Sequence, residues 1–404
     1  MSINISVPSS IHDLRPRIAV VGVGGAGGNA INNMIQSQLE GVDFIVANTD
    51  AQALQQSRAD RRIQLGVSIT QGLGAGSRPD VGHAAAEEAI DQIVEQLQGS
   101  NMAFITAGMG GGTGTGAGPV IAEIARSMGI LTVAVVTKPF AWEGSKRMKI
   151  AEAGIEEIAP HVDSLIVILN DKLEEVLGDD VTQAEAFEAA DDVLCNAVGG
   201  IVDIIHRDGV VNVDFQDVRT VMSEQGMAMM GSAASSGIDR ARIAAEQAIA
   251  CPLLEGVNLS GARGVLVNIT ASRGSLKLRE TKDVMNAIRA FAAEDATIIH
   301  GGVFDDDLGD ELRVTVIATG LGKPMGARAG KPQLVVTQAA LQRTGTDNQP
   351  LPVSPTPGQS PDYGAIADTP AVFRKRDRTA QVEALQASGV DKYDIPAFLR
   401  KQAD

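Results

Sequence analysis

The sequence contains few aromatic residues and few cysteines. Aromatics make up 3% of its 404 residues, with a single Trp and two Tyr, so the hydrophobic cores must be built from aliphatic side chains. Cys195 and Cys251 show no CxxC spacing, and we expect two buried, reduced thiols of a cytoplasmic protein rather than a disulfide framework. The five His residues are scattered along the chain, so no cluster indicates a transition-metal site.

Positive charge and long apolar runs are also lacking. Lys and Arg number 34 against 50 Asp and Glu, which gives a formal net charge of −16. This balance argues against a nucleic-acid-binding role, which needs a positive surface to displace counterions. The N-terminal residues lack the apolar core of a signal peptide, and no apolar run is long enough to span a membrane. We therefore expect a cytoplasmic protein with no direct membrane insertion.

Glycine, in contrast, is abundant at 44 residues and is concentrated in loops between predicted strands and helices. The first half of the chain alternates short buried strands with helices, which predicts a parallel sheet wrapped in helices. The predicted strands are Ile18–Val23, Phe44–Asn48, Ala103–Ala107, Leu131–Thr137 and Ser164–Leu169. The predicted helices are Asn29–Gln38, Val81–Leu97 and Pro119–Met128.

The second half begins with one long predicted helix, from about Thr182 to Ile205, and continues as a second α/β unit. A helix is expected after Asn212–Asp217 and is expected to end near Gly231. Two further helices, Arg242–Ala250 and Leu276–Ala293, and three strands, Gly264–Thr270, Thr297–Val303 and Leu312–Ala318, complete the pattern. Residues 321–390 are rich in Pro, Gly, Gln, Ser and Thr, a composition that predicts a disordered linker.

Two glycine-rich loops carry the strongest functional signal. The first, GVGGAG from Gly22 to Gly27, follows a strand and opens a helix, as expected of a GxGxxG phosphate-binding turn. A dinucleotide-binding fold is the rival interpretation, and it would use Asp50 at the end of the second strand. The second loop, GGGTGTG from Gly110 to Gly116, offers many unobstructed N–H groups and two hydroxyls. A second phosphate-binding loop this rich in glycine indicates a triphosphate site. The GxxxxGK[ST] pattern is absent, so the site is not that of a standard P-loop nucleotidase.

The Gly110–Gly116 segment resembles the signature of the tubulin/FtsZ family, and the similarity extends in order over residues 17–320. The resemblance implies an α/β, tubulin-like fold: a Rossmann-type GTP-binding domain joined by a long central helix to a smaller α/β activation domain. The implied boundaries are a flexible N-terminus at 1–11, the GTP-binding domain at 12–180, the central helix at 181–206 and the activation domain at 207–320. A disordered linker at 321–390 and a partner-docking tail at 391–404 follow.

The resemblance also implies the residues that hold GTP or GDP. The family's phosphate loops correspond to the glycine segments, Glu143 and Arg147 to ribose- and phosphate-side contacts, and Asn170 to a nucleoside contact. Phe187 and Asp191 would hold the guanine, because a carboxylate can accept from both N1–H and the 2-amino group. Many family members carry Asn at this position, and Asp192 is the alternative partner. The full implied set is Gly24, Gly25, Ala26, Gly27, Gly28, Asn29, Gly74, Ala75, Gly76, Gly110, Gly111, Gly112, Thr113, Gly114, Thr115, Gly116, Glu143, Arg147, Asn170, Phe187 and Asp191.

The carboxylates of the segment Asn212–Asp217 have two interpretations. Asp214 has the spacing of a helix N-cap, with Asp217 in the first turn. In the family, the matching loop inserts into the nucleotide site of the next subunit, which would make Asp214 and Asp217 the catalytic groups, with Asn212 helping to contact nucleotide. Mg²⁺ would be held mainly through phosphates and water.

The resemblance as a whole implies a GTPase activated by polymerisation into head-to-tail filaments of the bacterial division ring. Its tail would bind membrane-anchoring division proteins and assembly regulators and so recruit the protein to the inner face of the membrane. A dinucleotide-dependent oxidoreductase and a non-hydrolysing nucleotide-binding scaffold are the alternatives.

Overall fold

The computed structural model describes residues 15–321, except for 179, 208, 212, 225, 252–261 and 294. Asn212, most of the predicted linker and the predicted docking tail lie outside the described residues. The strands are β1 Ile18–Val23, β2 Val42–Asn48, β3 Arg61–Gln64, β4 Met102–Gly108, β5 Leu131–Lys138, β6 Ser164–Leu169, β7 Gly209–Val211, β8 Met227–Ser235, β9 Gly264–Ala271, β10 Thr297–Phe304 and β11 Leu312–Leu321. The helices are α1 Gly24–Gln36, α2 Ala51–Gln56, α3 Val67–Thr70, α4 Pro79–Glu88, α5 Ile90–Leu97, α6 Thr113–Ser127, α7 Ser145–Ile158, α8 Asn170–Leu177, α9 Gln183–His206, α10 Phe215–Met222, α11 Arg240–Ile249 and α12 Leu278–Arg289.

The strands form one sheet in the order β3-β2-β1-β4-β5-β6-β8-β11-β9-β10-β7. Strands β1 to β6 are all parallel. The remaining strands form a mixed arrangement, in which β11 runs antiparallel to both β8 and β9. The two halves join where Leu165 and Ile166 of β6 pair with Met227 and Ala228 of β8. The predicted α/β class and its parallel first half are thus confirmed.

The parallel strands are buried on both faces, which explains why they are continuous apolar runs in the sequence. Every residue of β1 is buried, and successive residues contribute to different cores. Ala19 and Val21 pack in the core under α4 to α7, whereas Ile18 and Val20 pack in the core under α1, α9 and α10. This alternation follows from the two-residue period of a strand.

The long predicted helix is present as α9, which has 24 residues. Thr182 caps it: its hydroxyl accepts from the Glu185 N–H, and the Glu185 carboxylate accepts from the Thr182 N–H. This reciprocal capping box fixes the start of the helix. Leu194, Val198 and Ile201 then recur at helical spacing and are buried against the sheet, so one face of α9 is committed to the core.

Two predicted elements are wrong. The helix expected to end near Gly231 stops at Met222, and Met227–Ser235 forms strand β8 instead. Pairing with β11 over most of its length overrides the weak local preference of this Met-, Ala- and Ser-rich stretch. The single helix expected from Val81 to Leu97 is divided at Ala89, where the backbone leaves the helical region at φ −102° and ψ 12°.

Candidate functional site

Two helices begin at the carboxyl ends of two neighbouring parallel strands. Strand β1 leads into α1 at Gly24, and β4 leads through the second glycine loop into α6 at Thr113. In the sheet, β1 lies between β2 and β4, so the direction in which strands are added reverses at β1. Open α/β sheets bind ligands at such a topological switch point, which here is the crevice between β1 and β4. Neither helix has a side-chain cap. Their free N–H groups and positive dipole ends therefore favour an anion.

Glycine allows the two loops to approach each other closely. A β-carbon on Gly24 would lie 3.0 Å from the Gly114 nitrogen, and Gly24 has a positive φ of 75°. A β-carbon on Gly27 would lie 2.5 Å from the Thr106 carbonyl oxygen, which is too close for any side chain. Gly25 and Gly111, in contrast, face open space with no atom within 4 Å. The loops thus contain glycines that permit packing and glycines that leave the main chain accessible.

A cavity of about 430 Å³ opens above these loops. The glycine loops and α9 both contribute to its lining. Its lining residues are Val23, Gly25, Ala26, Asn29, Gly108, Met109, Gly111, Gly112, Thr113, Gly114, Thr137, Pro139, Glu143, Arg147, Asn170, Phe187, Ala190, Asp191 and Leu194. The structure therefore brings twelve of the sequence-predicted residues into one cavity. Gly24, Gly27, Gly28, Gly110, Thr115 and Gly116 lie in the same loops but do not line it.

Asn170 gives an independent indication of a ligand. It is 4% exposed, lies at the first position of α8 and lines the cavity. Its side-chain oxygen has no hydrogen-bond partner. A buried polar atom without a partner is costly, so a donor supplied by a bound molecule would remove this cost.

The two threonines of the second loop have different roles. The Thr115 hydroxyl is buried and accepts from the Gly110 N–H at 2.9 Å, which closes the loop on itself. The Thr113 hydroxyl lies on the cavity wall, 2.6 Å from the Thr49 hydroxyl at the end of β2. Thr115 is therefore a structural residue of the loop, whereas Thr113 is available to a ligand.

Glu143 and Arg147 form an ion pair on the cavity wall, with 2.6 Å between Arg147 Nη1 and Glu143 Oε2. The second Glu143 oxygen accepts from the Phe140 N–H at 2.9 Å. The Glu143 side chain is nearly buried, whereas that of Arg147 is half exposed. Arg147 thus lines the cavity as one half of an ion pair, and its exposed N–H groups can donate to an additional anion.

Three aromatic rings meet where α9 borders the cavity. The Phe187 ring, 38% exposed, contacts Phe140 at 5.5 Å and Trp142 at 5.9 Å between centroids, both edge to face. Phe140 and Trp142 stack on each other at 5.3 Å. Because Phe187 lines the cavity, it offers a rigidly held ring on which a planar base can stack. The sequence indicated Phe187 but not the two rings behind it.

The side chains of Asp191 and Asp192 line two different cavities. Asp191 lines the cavity beside Ala190 and Leu194. Asp192 accepts a hydrogen bond from the Asn33 side chain at 2.9 Å and lines a separate cleft. Burial, followed by the charges of Asp192 and Glu188, raises the pKa of Asp191 to about 7. Of the two candidates for the base contact, only Asp191 faces the cavity.

The predicted third loop, Gly72–Gly76, lies beside the second one but does not line the cavity. The Ala51 N–H donates to the Gly72 carbonyl, and the Gly74 N–H donates to the Thr49 carbonyl. Ala75 packs so tightly that a β-carbon on Gly112 would lie 2.8 Å from its own. Asp50, which a dinucleotide-binding fold would use for a ribose, instead caps α2 by accepting from Gln52 N and Ala53 N.

Asp214 and Asp217 lie away from this cavity. Asp214 is the N-cap of α10, and its carboxylate accepts from the Asp217 N–H at 2.8 Å. Both carboxylates are exposed, and neither lines the cavity of its own chain. The capping interpretation of Asp214 is therefore correct as a description of one chain.

Sequence reasoning missed seven of the lining residues. They come from strand ends, the turn after β5 and the apolar face of α9: Val23, Gly108, Met109, Thr137, Pro139, Ala190 and Leu194. Val23 lies within the GVGGAG segment, and no motif includes the others. For the residues at strand ends and in the turn after β5, the position after parallel strands was the available signal, because the carboxyl ends of such strands meet at one edge of the sheet.

Comparison with known proteins agrees with this geometry. Residues 17–178 match the family described as "Tubulin/FtsZ family, GTPase domain", and residues 226–322 match "FtsZ family, C-terminal domain". The first half of the chain is thus a GTPase domain of the tubulin type, and its nucleotide is GTP or GDP. Among the described residues, no helix is long and apolar enough to cross a membrane.

Similar proteins share nearly the full length of the chain. "Cell division protein FtsZ" of Pseudomonas putida is 54% identical over 96% of this chain and 97% of its own. The protein of the same name from Coxiella burnetii is 53% identical over 95% and 96%. The solved structure "FtsZ dimer, empty (M. jannaschii)" superposes with a TM-score of 0.72 at 43% identity, covering 76% of this chain and 88% of that one. The chain belongs to the Tubulin/FtsZ family.

Proposed function

We propose that this protein is a cytoskeletal GTPase of the bacterial division ring, in which each nucleotide site is completed by the next subunit of a head-to-tail filament. The names of its full-length relatives support the role in cell division, and the dimer named in a solved relative supports self-association. Neither alternative, an oxidoreductase or a passive scaffold, is supported by the family match.

The main observation that supports a site shared between subunits is that the Asp214 and Asp217 carboxylates lie away from the nucleotide cavity of their own chain. Hydrolysis needs a group that orients the attacking water at the phosphates. Of the two carboxylates that line the cavity among the described residues, Glu143 is engaged by Arg147 and Phe140, and Asp191 lies on α9, outside the glycine loops. Asp214 and Asp217 are exposed on the same chain, far enough away to be absent from the lining. They are therefore available to a neighbouring subunit, with Asn212 beside them in sequence.

Mg²⁺ would neutralise the phosphates within this arrangement. The ion prefers oxygen ligands and keeps several waters. The Thr113 hydroxyl on the cavity wall is an oxygen donor of the suitable type, and most other ligands would be phosphate oxygens and water.

The docking role of residues 391–404 is proposed from the sequence. Ile395, Phe398 and Leu399 fall at i, i+3 and i+4 after Asp394, a residue type that caps helices. Such a short segment folds as it enters a groove on a partner. We propose that it binds membrane-anchoring division proteins and regulators, with residues 321–390 as a flexible tether.

A complementation experiment tests the shared site. We expect Asp217→Ala to bind GTP like the parent and to lose most hydrolysis. A Gly114→Ala subunit has intact carboxylates but a damaged cavity, because the new β-carbon would lie 2.6 Å from the Gly108 carbonyl oxygen. If light scattering shows that the two variants co-assemble, the mixture should hydrolyse GTP faster than the sum of the separate variants. Parental activity of Asp217→Ala, or no gain on co-assembly, would contradict a site shared between subunits.

A further inference from the structure

The carboxylate that faces the guanine position lies in an unusually acidic and poorly compensated environment. Glu188 and Asp192 flank Asp191 on its own helix, and both raise its pKa by charge repulsion in addition to the effect of burial. Ala190 and Leu194, which line the cavity next to it, are buried and apolar. Neither flanking group can stabilise the ionised form of Asp191.

The other elements around the cavity do not supply a free cation among the described residues. Helix α1 contains no charged residue. Across the cavity, Arg147 is paired with Glu143. On β5, Lys138 is paired with Glu152 at 3.4 Å. Helix α8, which packs against α9, contains Asp171, which accepts from the Ala141 N–H, together with Lys172, Glu174 and Glu175 in its sequence. Without bound nucleotide, Asp191 is therefore about half protonated near pH 7 and largely protonated below pH 6.

Guanine presents two donors on the edge that such a group would meet, N1–H and the 2-amino group. An ionised carboxylate has two acceptor oxygens and can accept both hydrogen bonds, whereas a protonated carboxyl places an O–H donor against one of them. We infer that Asp191 binds guanine only as the carboxylate, so that binding of a guanine nucleotide releases one proton from this residue and becomes tighter as pH rises. This inference rests on the proposed function, in which a guanine nucleotide occupies this cavity.

The direction and size of the pH effect on GDP affinity follow from the coupling between protonation of Asp191 and nucleotide binding. The pKa of Asp191 is about 7 in the empty cavity, and two donors from the base lower it in the complex. Above pH 8 the residue is already ionised and the affinity is flat. Below pH 7 a proton must leave on binding, so the affinity falls about tenfold per pH unit until the pKa of the complex is reached.

The matched control is Asp191→Asn, which preserves the size of the side chain and one acceptor oxygen but cannot ionise. The probe is GDP, so that hydrolysis and assembly are avoided. The GDP phosphates themselves titrate near pH 6, but this contribution is the same for the parent and the variant. The difference between the two pH profiles therefore isolates Asp191.

The experiment is isothermal titration of the full-length chain with GDP between pH 6 and 8.5, in two buffers of different ionisation enthalpy. Relative to Asp191→Asn, the parent should lose about tenfold in affinity between pH 8 and pH 6 and release close to one additional proton at pH 6. Parallel profiles for the two proteins would overturn the inference and leave the proposed function intact. Failure of the parent to bind GDP at any pH would instead overturn the proposed function.

A second variant keeps the inference testable if Asp191→Asn folds poorly. Asp192→Asn removes a charge that raises the pKa of Asp191 but leaves the cavity lining unchanged. The midpoint of the pH dependence should then move to lower pH. Loss of the pH dependence in Asp192→Asn would assign the titration to Asp192, and an unmoved midpoint would exclude Asp191; either result overturns the inference.

Discussion

Gly27 and Gly111 lie in the two glycine loops of the cavity, yet substitution with alanine should affect them in opposite ways. A β-carbon on Gly27 would lie 2.5 Å from the Thr106 carbonyl oxygen and 2.9 Å from the Gly22 carbonyl carbon. Both are main-chain atoms of strands that cannot move without disturbing the sheet. A β-carbon on Gly111 would meet no atom within 4 Å, and Gly111 lines the cavity.

The expected magnitudes follow from these distances. Gly27→Ala gains up to about 1 kcal/mol because alanine is favoured within a helix. Overpacking against rigid main chain costs more, about 1–3 kcal/mol or above, and we expect a net loss of about 2 kcal/mol. Gly111→Ala should leave stability within about 0.5 kcal/mol of the parent. It places a methyl group where we propose that the nucleotide approaches, and a lost hydrogen bond to a charged group costs about 1.5–3 kcal/mol. The affinity for GDP should therefore fall about tenfold or more.

The assay combines thermal unfolding without nucleotide and competition binding of GDP. Gly27→Ala should unfold at least several degrees lower, and Gly111→Ala should unfold like the parent but bind GDP weakly. Parental GDP binding by Gly111→Ala would show that the glycine loop does not contact the nucleotide. Parental stability of Gly27→Ala would refute the close packing of the loop on Thr106.

Two further predictions concern the aromatic rings and the tail. Trp142→Ala should weaken GDP binding about threefold to tenfold, because Trp142 and Phe140 hold the Phe187 ring. Trp142→Phe should restore binding. Equal affinities of the two variants for GDP would contradict this positioning role of Trp142. Deletion of residues 391–404 should leave GTPase activity and assembly unchanged but abolish binding to membrane-anchoring division proteins, and tight binding of the truncated chain in a pull-down would contradict the docking role.

The sequence was sufficient to locate the two glycine loops because the relevant signal is local. The GGGTGTG segment and the GVGGAG segment each follow an apolar run and precede a helix, and the strand–turn–helix order alone places their N–H groups at one edge of a parallel sheet. The fold class followed from the same alternation of elements. Resemblance to a family then supplied Glu143, Asn170, Phe187 and Asp191, which no spacing rule connects to the loops.

What the sequence could not supply depends on contacts between distant residues. Strand β8 is a strand because β11 pairs with it, and nothing in the composition of Met227–Ser235 indicates this. The choice between Asp191 and Asp192 required the hydrogen bond from Asn33, more than 150 residues away. The unpartnered oxygen of Asn170 and the rings that hold Phe187 are likewise properties of the packed structure.

The two interpretations of Asp214 and Asp217 are compatible. Asp214 uses one carboxylate oxygen to cap α10, which fixes the start of that helix and the direction of its first turn. Asp217 lies in this turn, and within the described part of the chain its carboxylate has no hydrogen-bond or ion-pair partner. A cap that orients an exposed, unpaired carboxylate prepares it for a group outside its own chain. If that group is the water beside a neighbour's nucleotide, each hydrolytic site exists only where two subunits meet. The rate of GTP hydrolysis per subunit should therefore rise with protein concentration and not remain constant.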